Sequence, residues 1–207
     1  MNSVGNITEL VLGANTVLKG GGKVTLDDSG ANYINGVAAA TKLTNVNNTI
    51  SGAGQLGAGQ MTLVNQARGV IDATGGNALV LDTFGSVATN AGLMEATGAG
   101  GLTIVDTAVD DSAGGVILAA GSAVNLASAD IIGGTLETSG TGVIETAASD
   151  RGSLIDGTSS TVSVTGALDI TNNAYLTMQG AIANSGVISL LSIGNDTRLV
   201  VGAAGLT

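Results

Sequence analysis

The side chains able to do chemistry in this chain are carboxylates. They gather in three places: Asp27-Asp28, Asp106 with Asp110-Asp111, and Asp150 with Asp156. Two carboxylates held about 5 to 9.5 Å apart can cleave a glycosidic bond, one as acid and the other as base or nucleophile. Oxygens from neighbouring segments can also bind Ca²⁺. Arg151, beside Asp150, is the candidate basic residue for such a site. Much of the remaining catalytic repertoire is missing. The chain has no His and no Cys, which excludes a Ser–His or Cys–His nucleophile pair. Gly75-Gly76-Asn77-Ala78 lacks the third Gly and the Asp of the calcium-binding nonapeptide. The Gly-rich stretch Gly52 to Gln60 is not followed by the Gly-Lys-Ser/Thr of a phosphate-binding loop. No catalytic, cofactor or metal residue is therefore assigned. The acidic groups are expected to be solvated turn carboxylates. Asp106, Asp110 and Asp111 in particular are expected on an exposed turn, converging with no other acidic group.

Any element that positions these residues must be short. From Asn65 to Thr107 the chain states one motif twice. Asn65, Gly69, Val70-Ile71 and Leu79-Val80-Leu81 are followed by Asn90, Gly92, Leu93-Met94 and Leu102-Thr103-Ile104. Gly69 to Gly92 and Leu79 to Leu102 are each 23 positions. A period near that size, built of short aliphatic strips and Gly turns, marks a solenoid whose units bury their apolar face only by stacking. Strips of three to five residues with alternate aliphatic positions fit strands with one face inside. No segment keeps a helical apolar period. The absence of Pro suits a ladder in which every N–H is needed. Leu81 and Ile104 hold equivalent places and are expected in one interior ladder. Asn65, Asn90 and Asn184 precede strips and are expected to stack at turns as stabilising amides. Residues 27–44 break the pattern and read as a protruding loop or an irregular coil, with room for one helical turn from Val37 to Lys42.

Composition narrows the function. Gly is 34 of 207 residues, yet 44 % of the chain is hydrophobic and mean hydropathy is +0.45. That is too apolar for a disordered Gly/Ser tract and sufficient for a thin core of small aliphatic side chains. The net charge is −10, and the six cations (Lys19, Lys23, Lys42, Arg68, Arg151, Arg198) form no stripe. Nucleic acid is rejected as a partner, and anionic membrane surfaces are disfavoured. Val116 to Ala129 is uncharged but too short and too polar to span a bilayer. Carbohydrate stacking needs exposed aromatics, and only Tyr33, Phe84 and Tyr175 exist. An ice- or mineral-binding face needs ranks of Thr. Thr25, Thr62 and Thr103 could align, but Val11 and Val80 interrupt the rank.

The Asn65/Gly69, Asn90/Gly92 and Asn184/Gly186 signatures, with the aliphatic strips after them, resemble right-handed parallel β-helix repeats of bacterial surface and secreted proteins. These are autotransporter passenger domains, filamentous-haemagglutinin-like adhesins and the Gly/Asn/Thr-rich "β-strand repeat" proteins. The resemblance covers nearly the whole chain. It implies an all-β, right-handed parallel β-helix in one domain spanning residues 1–207, of roughly ten coils. It further implies a secreted or cell-surface stalk or adhesive segment of a large adhesin, facing a host or matrix ligand. The alternative is a polysaccharide lyase or glycoside hydrolase, for which Asp106, Asp110, Asp111, Asp150 and Arg151 are the candidates, although the polygalacturonase-like Gly-His-Gly is absent. A third reading is an ice- or surface-binding module. Finally, Thr8 to Val17 and Thr197 to Leu206 share five of ten residues at an offset of 189. That match reads as a super-repeat cut from a longer solenoid, with open ends that associate end to end.

Overall fold

The computed structural model describes residues 1–148 and 152–207. It is an all-β solenoid of about nine turns, with no helix among the described residues. The first six coils each contribute three short strands. They are β1 (Thr8–Leu12), β2 (Thr16–Leu18) and β3 (Lys23–Thr25); β4 (Asn32–Gly36), β5 (Lys42–Asn45) and β6 (Thr49–Gly52); β7 (Gly54–Leu56), β8 (Thr62–Asn65) and β9 (Val70–Ala73). Next come β10 (Leu79–Asp82), β11 (Val87–Asn90) and β12 (Leu93–Ala96); β13 (Leu102–Val105), β14 (Ala108–Asp110) and β15 (Val116–Ala120); β16 (Ala123–Ala127), β17 (Asp130–Ile132) and β18 (Gly134–Ser139). The last three coils carry two strands each: β19 (Val143–Thr146) and β20 (Ser153–Val164), β21 (Ala167–Ile170) and β22 (Tyr175–Asn184), β23 (Val187–Leu190) and β24 (Arg198–Leu206).

All pairing is parallel and runs between successive coils. The first face is a nine-stranded sheet, β1-β4-β7-β10-β13-β16-β19-β21-β23. The second and third faces form one fifteen-stranded sheet, because β20 pairs with β17 through its first half and with β18 through its last residues. In coils seven to nine, a single bent strand replaces the strand–turn–strand of the earlier coils. Register partners lie from 19 positions apart (Val116 and Thr135) to 28 apart (Gly134 and Val162). The period therefore varies with the length of each turn.

Alternation within each strip places one side chain inside and the next outside. On the first face Leu10, Ile34, Leu56, Leu81, Ile104, Leu126, Thr146, Ile170 and Leu190 form one inward ladder. Leu81 and Ile104 are direct partners and fully buried, as their sequence equivalence predicts. The third face carries a second ladder, Val24, Ile50, Ile71, Met94, Ile117, Leu136 and Val164. Each fully buried aliphatic contributes about 1.5–3 kcal/mol relative to exposure.

Two features depart from the expectations. Residues 27–44 supply β4 and the start of β5 to a regular coil, and residues 27–31 and 37–41 remain as turns on either side of β4, with Val37 exposed. The second of these turns closes through Thr41 N–H donating to the carbonyl of Ala38. The super-repeat match also fails in space. Thr8–Leu12 lies on the first face, whereas Arg198–Leu206 begins on the second, paired with β22. Short aliphatic strips look alike on every face, so a ten-residue identity does not fix the face.

Candidate functional site

Two arrangements collect the polar side chains: a buried file of amides at one corner of the coils, and acidic residues stacked on the outside.

The buried file stands where the second face turns into the third. Asn45, Asn65 and Asn90 are register partners or continue the register at the ends of β5, β8 and β11, and all three are fully buried. Asn45 Nδ2 donates to Asn65 Oδ1 at 2.9 Å, and Asn65 Nδ2 donates to Asn90 Oδ1 at 2.8 Å. Asn90 Nδ2 then donates to Asp111 Oδ1 at 2.7 Å. Each Asn also ties its own turn: Asn45 Nδ2 donates to the carbonyl of Asn48, and Asn65 Nδ2 to that of Gly69. The glycines of the repeated motif make room for these amides. A Cβ on Gly69 would stand 2.1 Å from Asn65 Oδ1, one on Gly92 2.4 Å from the carbonyl of Gly69, and one on Gly115 2.4 Å from Asp111 Oδ1. The Asn-to-Gly signature is thus a packing rule in which the side chain fills the place a second side chain would take.

Asp111 ends the file, which corrects its expected placement on an exposed turn. It is fully buried, and its Oδ2 accepts no hydrogen bond. Burial pushes its pKa up to about 8, against the Asn90 hydrogen bond that favours the carboxylate, and Asp110 adds to the rise. At neutral pH the side chain is therefore mostly a neutral acid. Its Oδ1 does what Asn65 Oδ1 does, so Oδ2 occupies the place of an amide nitrogen. The next coil turns this corner through Gly133 and Gly134, both at positive φ, and so offers no side-chain oxygen. An acid carries one hydrogen where an amide carries two. Asp111 Oδ2 has no hydrogen-bond partner in either direction, so the file ends on an unsatisfied polar atom.

The external acids stack in pairs on adjacent coils. Asp72 and Glu95 are partners on the third face, and Glu145 and Asp169 on the first. Glu95 and Glu145 both have raised pKa values, chiefly from desolvation and then from the acidic neighbour. Asp82 is raised in the same way by burial, with Asp106 adding to it although Phe84 N–H lowers it. Thr97 Oγ1 donates to Asp72 at 2.7 Å, so one carboxylate of its pair is already partly satisfied.

The remaining candidates are structural or dispersed. Asp28 accepts hydrogen bonds from Asn77 N–H at 2.6 Å and from Asn77 Nδ2, two coils away, and these hold its pKa down. Asp27 accepts from Ser3 N–H and from Asn32 Nδ2. Asp156 accepts from Thr158 N–H at 2.8 Å. Asp150 and Arg151 lie outside the described residues. Among the described residues no three acidic groups lie close enough together to hold a metal ion. Thr25, Thr62 and Thr103 lie on the third, second and first faces respectively, so they form no rank. Tyr33 lies on the outer side of β4, Phe84 is exposed on a turn, and Tyr175 carries the Arg198 guanidinium at 5.3 Å. Asn184 keeps the local habit of its relatives, accepting from Gly186 N–H at 3.0 Å, but it is exposed and pairs with Val164 on the third face.

Sequence reading missed Asn45 and the role of Asp111. The usable signal was there: Asn45, Asn65, Asn90 and Asp111 follow one another at 20, 25 and 21 positions, near the coil period. The stacked pairs carry the same signal, 23 positions for Asp72 and Glu95 and 24 for Glu145 and Asp169. No protein-family model, curated protein or solved structure matches the chain.

Proposed function

We propose that this chain is a structural segment, a stalk or adhesive element of a large bacterial extracellular or surface adhesin. The observation that supports the reading is the first-face ladder, which runs from Leu10 to Leu190 through all nine strands with Thr146 as its only polar member. Its polar side chains are spent on holding coils together: the amide file, the Asp28–Asn77 clamp, and Thr146, whose Oγ1 accepts from Thr171 N–H at 3.2 Å. A molecule organised in this way resists extension and presents its faces to a partner. Antibody labelling of intact source cells, with and without protease shaving, tests the reading. Surface label that shaving removes supports it. Label that appears only after lysis overturns it.

The polysaccharide-enzyme reading retains one specific observation, the Glu145–Asp169 pair with the raised Glu145. Reducing ends or unsaturated products released from acidic polysaccharides, and lost in the Glu145→Gln protein, would favour it over the stalk.

A further inference from the structure

Residues 27–31 carry the chain from the third face of coil one to the first face of coil two, and with the start of β4 they gather oxygen atoms around one point. Asn32 is fully buried there. Its Nδ2 lies 3.1 Å from the carbonyl oxygen of Asp27, 3.2 Å from that of Ser29 and 3.4 Å from that of Ala53, and it also meets Asp27 Oδ1. Four oxygens thus face a group that has two hydrogens to give. At the other end of the same amide, Oδ1 is buried and has no hydrogen-bond partner. A buried orphan of this kind calls for a cause.

The surroundings hold the oxygens in place. Asp27 Oδ2 accepts from Ser3 N–H at 3.0 Å, which leaves Oδ1 to Asn32. The carbonyls of Asp27 and Ser29 each accept one backbone N–H, from Ser29 at 2.8 Å and from Asn32 at 3.3 Å, and each keeps a second lone pair. Ala53 stands between Gly52 and Gly54, at φ of 125° and 131°. A Cβ on Gly54 would stand 2.4 Å from the carbonyl oxygen of Asn32, so glycine lets this backbone approach. The neighbouring Asp28 is spent on its clamp to Asn77.

Turning Asn32 about its Cβ–Cγ bond exchanges Nδ2 for Oδ1. Five oxygens then surround the point: one from a carboxylate, one from an amide and three from the backbone. We propose that this turn binds one Ca²⁺ ion through Asp27 Oδ1, Asn32 Oδ1 and the carbonyl oxygens of Asp27, Ser29 and Ala53. Ca²⁺ takes six to eight oxygens in flexible geometry, so water completes the shell, whereas Mg²⁺ keeps several waters and avoids an all-protein cage. A single carboxylate sets the affinity in the weak range of extracellular modules, on the order of 10⁻⁴–10⁻³ M. The ion ties the turn between coils one and two to the turn between coils two and three.

The site goes beyond the stalk reading and does not depend on it. Calorimetry on the full 207-residue protein, stripped with EDTA and dialysed, tests it with CaCl₂ against NaCl of matched ionic strength. One ion should bind per chain, and the thermal midpoint should rise and level off over the same concentrations. Asp27→Asn should weaken binding at least about tenfold, and Asn32→Asp, which brings a second carboxylate to the same point, should strengthen it about tenfold. Glu95→Gln, in the acidic pair of the third face, should bind as the parent does. In the parent, the nuclear magnetic resonance signal of the Asn32 side-chain amide should move with calcium, which reads the site even where a variant does not fold. Absence of saturable heat, or a midpoint shift that NaCl reproduces, overturns the proposal and leaves the stalk reading to the surface-labelling experiment. Calcium binding that leaves the Asn32 amide signal unmoved, or that Asp27→Asn keeps and Glu95→Gln loses, also overturns it.

Discussion

At the scale of single residues, Asp111 shows how position decides chemistry. Its folded pKa of about 8 lies above the ordinary 3.8, so the native state keeps its proton to higher pH than the unfolded chain does. The sign follows from linkage. The stability is fully present below about pH 4, is lost progressively as pH rises towards 8, and is level above that. The amount is on the order of a few kcal/mol. Asp110 is the acidic neighbour that adds to the rise. Asp111→Asn removes the titration, so urea denaturation from pH 4 to pH 9 should show the variant gaining steadily on the parent; parallel curves would contradict a buried neutral acid. Asp111→Ala is also no longer a surface change. It strips the acceptor from the buried Asn90 amide, at a cost of about 1–3 kcal/mol. None of this was legible from DTAVDDSAGG read alone, because three nearby Asp residues look like a solvated turn. It becomes legible when Asp111 is placed one coil after Asn90.

At the scale of elements, strand identity was readable and strand placement was not. The strips Leu79-Val80-Leu81 and Leu102-Thr103-Ile104 announce their alternation, and the structure pairs them in the expected register. By contrast, Asn15-Thr16-Val17 and Asn48-Thr49-Ile50 look equivalent but lie on the second and third faces. Turn length sets the face, and turns of Gly, Ser and Asn vary from coil to coil. Even the uncharged run from Val116 to Ala129 divides into β15 and β16, with Gly121 at positive φ between them. The alternation gives a sharp contrast between neighbours. Ile104→Asp buries an unpaired charge in the middle of the ladder and should cost several kcal/mol or prevent folding. Thr103→Asp faces outward between Val80 and Asn125 and should change stability by no more than about 0.5 kcal/mol. Thermal midpoints of the two proteins check this, and equal losses would contradict the inward assignment.

At the scale of the whole molecule, each coil touches its neighbours and little else. Stability is then a sum over coils and the interfaces between them. Most polar devices follow the same rule, the exception being the Asp28–Asn77 clamp, which reaches across two coils. The amide file joins coils two to five, and the pairs Asp72–Glu95 and Glu145–Asp169 each span two adjacent coils. A formal net charge of −10 opposes compaction without setting the fold. A solenoid of this kind is quasi-one-dimensional and should come apart coil by coil. Single-molecule extension along its axis, pulled from the two termini, tests this most directly. The chain should yield in successive steps of roughly 70–90 Å, the contour of one coil at about 3.3–3.6 Å per residue. Release of the whole chain in one event, with no steps of that size, would contradict it.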